Sequence, residues 1–304
     1  PVVKHFKLNF INKLLLRYQL PDFGEYDYIW FTCPSMYLLF SERIKATNRL
    51  VYDCMDDMLE FSFCKNNTLL RSKMLNAERE LLRKSDIVFC SSDYLKNKIL
   101  SRTGISRNVV TLNNAVELPK IKTPSIVSEN IASILSELKK MPHPLLYIGT
   151  ISEWFDFKLM LKLFERYKNV NLVLAGPTNT EIPSHPQIHY IGTVNRDDIF
   201  ALMSSAWCLI MPFQLNELIR SVNPVKLYEY IYAGKPIIAS KYEETMKFLP
   251  YVELYESEND FFEVIDKYLS VESLSEDKRK EMKDFAGHNT WSDRYEIVKK
   301  ELML

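Results

Sequence analysis

Glycine is scarce in this chain. Seven occur in 304 residues, at positions 24, 104, 149, 176, 192, 234 and 287. No two are separated by a single residue, so neither GxGxxG nor GxxxxGK[ST] occurs. A linear dinucleotide fingerprint and a P-loop are excluded together, and any phosphate must be held by other means. Cysteine is sparse and unpatterned, at 33, 54, 64, 90 and 208. No pair has CxxC spacing, which argues against a zinc or redox site. An odd, scattered set fits reduced thiols in a cytosol. There is no charge excess, with 39 Lys+Arg against 39 Asp+Glu. The basic surplus of a nucleic-acid binder is therefore missing, and no nucleic-acid partner is expected. No apolar run reaches the ~18 residues of a membrane span, and no stretch reads as a secretory signal. The first residue is Pro1, so the chain is expected to have lost its natural start.

What is present is a large apolar fraction, 47% of residues, in a length sufficient for two domains. Short apolar runs alternate with longer helical patterns. "YDYIWFTC", "RLVYD", "DIVFCSS" and "NVVTL" are strand candidates in the first part. Between them Asn66–Lys84 repeats apolar residues at helical spacing, with Leu70, Met74, Ala77 and Leu81 on one face. "LPKIKTPS" breaks the pattern with two prolines and reads as a connector, with a helix before "MPHP". A second series follows: "PLLYIGT", "VNLVLAG", "QIHYIGT", "AWCLIMPF", "KPIIAS" and "YVELY". Helical patterns separate most of them, including Phe157–Tyr167 and Arg196–Ser205. Strand–helix alternation in both parts predicts α/β architecture with two Rossmann-like parallel-sheet domains. The expected divisions are 1–122, a linker and connecting helix over 123–140, a second domain over 141–288, and a C-terminal helix over 289–304. That last helix is expected to pack back toward the first domain. Ligands of parallel sheets sit at the carboxyl ends of strands, and the cleft between two such domains is the default site.

The segment "NPVKLYEYIYAGKPIIAS" puts a lysine where the helix dipole favours an acid. Asn223 and Pro224 suit N-cap and N1, and Gly234 suits the C-terminal stop. Free N–H groups near Val225 and Lys226 would form an anion site, and Lys226 adds a full charge to it. Glu229, three residues on, shares its helix face. A carboxylate accepts two hydroxyl donors, which suits a ribose diol. Phosphate beside Lys226 and ribose beside Glu229 describe a nucleoside diphosphate. A plain surface Lys–Glu pair explains the same spacing.

The same segment resembles the donor-binding segment of GT-B glycosyltransferases, where a helix with "E-x-x-x-x-G-x-P" carries the nucleotide-sugar. "SDIVFCSSDYL" is similar to the end of their N-terminal domain and "TLNNAVEL" to the strand and loop before the linker. "LLYIGTISEWFDF" and "IHYIGTV" resemble the first strand and the base-binding segment of their C-terminal domain. "VYDCMDD" and "NPVKLYEY" look most like bacterial enzymes of capsule, exopolysaccharide or teichuronic acid assembly. The resemblance implies ribose at Glu229, diphosphate at Lys226 and the helix start with Leu227, and close passage of Gly149 and Thr150 by the phosphates. It implies a base against the backbone of Val194, and a donor-sugar loop containing Phe213, Asn216, Arg220 and Ser221. Two departures stand out. Ser221 occupies the position of a glutamate that many retaining members carry, which leaves the stereochemistry open. The loop "ISEWFDFK" holds one base, Lys158, where the family has an Arg/Lys pair. The family also has strands before this chain's first one, so the N-terminal domain is expected to be incomplete.

Inverting transfer needs a base for the acceptor hydroxyl. "VYDCMDD" ends a strand with Asp53, Asp56 and Asp57, and Asp56 or Asp57 is the candidate. A capping acid for the following helix is the alternative. The metal-binding DxD of GT-A enzymes is a third reading, against which stand the spacing and the two sheets. No metal or cofactor is expected beyond the substrate, a UDP- or GDP-type sugar. Trp154 and Trp291 suit sugar stacking but fit core packing better. His185, His189 and His288 show no ligand spacing and read as structural. Val2–Tyr18 is apolar with four basic residues; it suits an anionic membrane surface, or a buried helix with a solvated face. The expected activity is sugar transfer to a lipid-linked or other glycan acceptor, in the cytoplasm or at the inner membrane face. A nucleotide-sugar epimerase and a non-catalytic sugar-nucleotide-binding subunit are the alternatives.

Overall fold

A computed structural model describes residues 11, 12, 14, 16, 20–104, 108–118, 129–270 and 273–303. Most of the connector, and all but a few residues of the Val2–Tyr18 segment, lie outside the described residues. The ten strand candidates all form strands. In the first part these are β1 (Tyr28–Phe31), β2 (Arg49–Cys54), β3 (Ile87–Cys90) and β4 (Val109–Thr111). In the second part they are β5 (Pro144–Ile148), β6 (Asn171–Ala175), β7 (Ile188–Gly192), β8 (Cys208–Met211), β9 (Ile237–Ser240) and β10 (Glu253–Tyr255). The first four make one sheet in the order β1-β2-β3-β4, and the other six a second in the order β10-β9-β8-β5-β6-β7. Every pairing is parallel. The fold is therefore α/β with two Rossmann-like sheets. The central strands β3, β5, β8 and β9 are buried at every residue. That is why their sequences are continuous apolar runs rather than alternating ones: helices cover both faces.

The chain separates into two compact units. The first comprises residues 1–113, 220–223 and 297–304; the second comprises residues 114–219 and 224–296. In the first unit, the helix Thr68–Lys84 is capped by Asn67, whose side chain accepts from Leu70 N–H at 3.0 Å. It buries Met74, Ala77 and Leu81; Ala77 and Leu81 join Phe31, Tyr52, Cys90, Leu95 and Ile99 in one core, and Met74 packs with Leu59 and Cys64. The other face of that sheet is covered by the end of the last helix, Trp291–Leu302. Leu302 packs there with Val51, Ile87 and Phe89, and Tyr28 donates to its carbonyl at 3.0 Å.

In the second unit, the turn before Val225–Ala233 differs by one position from the sequence expectation. Pro224, not Asn223, takes the N-cap position, with extended φ/ψ and no side-chain cap. Lys226 is thus the second helical residue. Gly234 closes the helix in the left-handed region at φ 67°, as its position predicts. Trp291 does not enter the core; it is 45% exposed. His185 stacks on Phe164, His189 meets Asn171 Oδ1 at 3.2 Å, and His288 meets the Asp284 carbonyl at 2.8 Å. All three histidines have structural partners. Among the described residues, no helix is long and apolar enough to cross a membrane.

Candidate functional site

The carboxyl end of β5 carries Gly149 and Thr150. Thr150 is exposed, and its carbonyl accepts from Tyr147 Oη at 2.8 Å. The helix Val225–Ala233 starts beside them. A Cβ built on Gly149 would lie 3.1 Å from Cε and 3.3 Å from Nζ of Lys226. The Lys226 ammonium sits 5.4 Å from the Tyr147 ring centre and 5.1 Å from that of Phe213. It is half-buried. Among the described residues no carboxylate approaches it within 4.0 Å. Burial pushes its pKa down to about 8, and the more distant Glu229 only partly offsets this. The surface ion pair that would explain the spacing blandly is therefore not formed. A cation held by two rings, in the first turn of a helix, raises the electrostatic potential there twice over.

Glu229 stands one turn further on. Burial raises its pKa, while Arg196 and then Lys226 lower it. Arg196 lies in the turn after β7 and also pairs with Glu117 at 2.8 Å. Sequence reasoning missed Arg196. Its signal was available: a base at the carboxyl end of a strand, three residues after Thr193 in "GTVNRDD". Val194, in the same turn, is half-buried against the core. Its backbone is where the resemblance puts the base.

The remaining predicted residues divide. Phe213 is buried, and its backbone N–H and carbonyl both bond Ser240 Oγ, at 2.8 and 2.7 Å. This fixes the ring that faces Lys226. Asn216 is exposed, and its Oδ1 caps the short helix Glu217–Arg220 by accepting from Ile219 N–H at 2.9 Å. Arg220 and Ser221 group with the first unit, where Ser92 Oγ donates to the Ser221 carbonyl at 2.6 Å. Leu227 requires a correction. It is fully buried in the core, and its N–H already bonds the Pro224 carbonyl at 3.1 Å. It offers a ligand neither side chain nor donor. Lys158 lines a cavity of about 400 Å³ with Asp156, Phe213, Gln214, Tyr255 and Glu258. Lys226, not Lys158, is the cation against Gly149.

In the first unit the structure separates the two candidate bases. Asp57 is completely buried. Arg102 Nη1 lies 2.8 Å from its Oδ1 and Lys98 Nζ 3.1 Å from its Oδ2. Arg102 also makes a two-pronged contact with Glu78, at 3.0 and 2.9 Å, and Tyr52 donates to Glu78 at 3.2 Å. A carboxylate neutralised in this way is a structural ion, and its Oδ1 further caps a turn through Leu59 N–H at 3.3 Å. Asp57 is therefore withdrawn as a catalytic base. Asp56 is exposed, and desolvation by its neighbours with the Asp57 charge raises its pKa. Burial likewise raises that of Asp53, against a bond from Trp30 Nε1 at 3.3 Å.

The family model described as glycosyl transferases group 1 matches residues 134–285, half of the chain. The chain belongs to that family. It is 27% identical over 261 residues to TuaH of Bacillus subtilis (strain 168), whose name assigns it to glycosyl transfer in teichuronic acid biosynthesis. The match takes in 81% of this chain and 64% of TuaH, so the chain spans just under two thirds of that relative. Solved structures share the fold. Anabaena HepE in complex with UDP-glucose superposes with a TM-score of 0.70 at 14% identity, covering 98% of this chain and 82% of HepE. Sucrose-phosphate synthase from Thermosynechococcus elongatus gives 0.71 at 13%, covering 99% and 79%.

Proposed function

We propose that this chain transfers a sugar from a nucleoside diphosphate sugar to a glycan acceptor, lipid-linked, in bacterial surface polysaccharide synthesis. The observation that carries the donor half is Lys226. A half-buried ammonium without a carboxylate partner costs free energy unless an anion completes it. Gly149 leaves room for that anion, and the helix start supplies N–H donors beside it. Glu229, on the same face, is spaced for ribose. The diphosphate is the leaving group, so the charge that binds it also stabilises it as it departs. This stabilisation comes from side chain and helix, and the reading needs no metal. HepE, of like fold, was solved with UDP-glucose, which supports a UDP-type donor, and TuaH is named for teichuronic acid biosynthesis, which supports a cell-surface glycan as acceptor; a GDP-type donor fits the same site.

Asp56 is the base in this reading. Its pKa, raised by desolvation and then by the Asp57 charge, keeps it a stronger base than an ordinary carboxylate. The test has two parts. A thermal-shift screen against UDP, GDP and dTDP should show one nucleotide raising Tm by mass action. With its sugar donor and a glycan acceptor, the wild-type chain should release that nucleotide, and Asp56→Asn should lower kcat by roughly 100-fold or more at unchanged nucleotide affinity. No stabilisation by any nucleoside diphosphate would rule the assignment out.

A further inference from the structure

Gly149 and Gly176 follow the adjacent parallel strands β5 and β6. They are far apart in sequence and stacked in space. Gly149 N–H donates to the Ala175 carbonyl at 2.9 Å, and Gly176 N–H to the Gly192 carbonyl at 2.8 Å. A Cβ on Gly176 would fall 2.3 Å from the carbonyl oxygen of Gly149 and 2.8 Å from its carbonyl carbon. Both obstructing atoms are backbone, so nothing flexible can give way. Gly176 also holds φ 130°, which side-chain-bearing residues rarely adopt. One step further along, a Cβ on Gly149 would meet the end of the Lys226 side chain at 3.1–3.3 Å. The missing side chains form a relay. Space at 176 sets the peptide at 149, and space at 149 sets the ammonium of 226.

We propose that Gly176 is a positioning residue for diphosphate binding, acting through Gly149 on Lys226. The inference rests on the donor reading of Lys226. It predicts an effect concentrated at the phosphate end of the ligand, since the atoms that a Cβ at 176 would displace belong to Gly149, which packs against the end of the Lys226 side chain. A methyl at 176 must displace the Gly149 carbonyl, and with it the strand-end peptide that packs against that side-chain end.

The experiment is calorimetric titration of wild type and Gly176→Ala with UDP and uridine, and with GDP and guanosine. Diphosphate affinity should fall by about 10-fold or more, the loss of most of one charged hydrogen bond, while nucleoside affinity stays within about twofold. Equal losses for both ligands would mean a general disturbance of the fold and would overturn the inference. So would no loss for either. If Gly176→Ala does not fold, Gly149→Ala takes its place: Gly149 also holds a positive φ of 143°, but the atoms nearest its methyl are side-chain ends, those of Lys226 and the Tyr147 hydroxyl, and not backbone. The same selective loss is expected there, and its absence overturns the relay. A wild-type chain that binds neither diphosphate would fail the proposed function itself; a wild type that binds, with variants that bind alike, would fail only this inference.

Discussion

Asp57 and Lys226 are both charged groups taken out of bulk water, one in each unit of the molecule. Asp57 is met by Arg102 at 2.8 Å and Lys98 at 3.1 Å, with Glu78 balancing Arg102 from the other side. Lys226 is met by two aromatic rings and a glycine. The first arrangement is complete: each charge in it has a partner. In the second, no carboxylate among the described residues lies within 4.0 Å of the ammonium, and in the proposed reading an anion completes it. A buried charge alone does not mark function, since a satisfied network specifies the fold equally well. Incompleteness at a strand's carboxyl end, beside a helix start, is what separates the two.

The largest effect should come from breaking the complete side. Arg102→Met leaves Asp57 facing Lys98 alone and strands Glu78 in the core. Removing one partner of a buried pair costs about 3–5 kcal/mol, so urea denaturation should show a loss of that size with nucleotide affinity unchanged. A loss below 1 kcal/mol would mean that the network is not the structural element described here.

A smaller effect should appear on the incomplete side as pH is raised. The Lys226 pKa is pushed down to about 8 in the folded chain, whereas the unfolded chain keeps an ordinary lysine. Below about 8 both states hold the proton, and the folded state bears the full cost of the desolvated charge. Between about 8 and the ordinary lysine range the unfolded state binds more protons, so stability rises with pH. Wild type should therefore gain stability over Lys226→Met less at pH 7 than at pH 10 in the ligand-free protein, as read by denaturant midpoints. Nucleoside diphosphate affinity should fall over the same range, because the neutral amine no longer attracts phosphate. A flat difference between the two chains across this range would contradict the account of Lys226 as an uncompensated cation.

The smallest effect concerns metal. With Lys226 and the helix start supplying the charge, EDTA should change diphosphate affinity by less than about twofold, well under the 1.4 kcal/mol of a tenfold change. A strong Mg²⁺ or Mn²⁺ requirement would return attention to Asp53 and Asp56.

How legible these features were in the sequence depended on how local they are. All ten strands could be placed; the central ones were plainest, because continuous apolar runs arise where helices cover both faces of a parallel sheet. Lys226 and Glu229 stood out because a helix start, its charge preference and the one-turn spacing lie within a few residues. Leu227 was avoidable: with Tyr228, Tyr230 and Ile231 it belongs to the buried side of its helix. Asp57 was not avoidable, since its partner Arg102 lies 45 residues away and only the fold brings them together. The glycines show the same limit. Scarce and unpatterned along the chain, Gly149 and Gly176 acquire meaning only when β5 and β6 pair. In the proposed reading the glycines that make room for phosphate are dispersed over strand ends instead of gathered in one loop, and no linear motif records that.

The most direct test of the central claim is calorimetric titration of wild type, Lys226→Ala and Glu229→Ala with a nucleoside and its diphosphate. A charged hydrogen bond is worth roughly 1.5–3 kcal/mol, so Lys226→Ala should lose about 10- to 100-fold for the diphosphate and hardly change for the nucleoside. Glu229→Ala should weaken both ligands, because both contain the ribose. If Lys226→Ala binds the diphosphate as tightly as wild type does, Lys226 does not await a phosphate, and the site assignment is wrong.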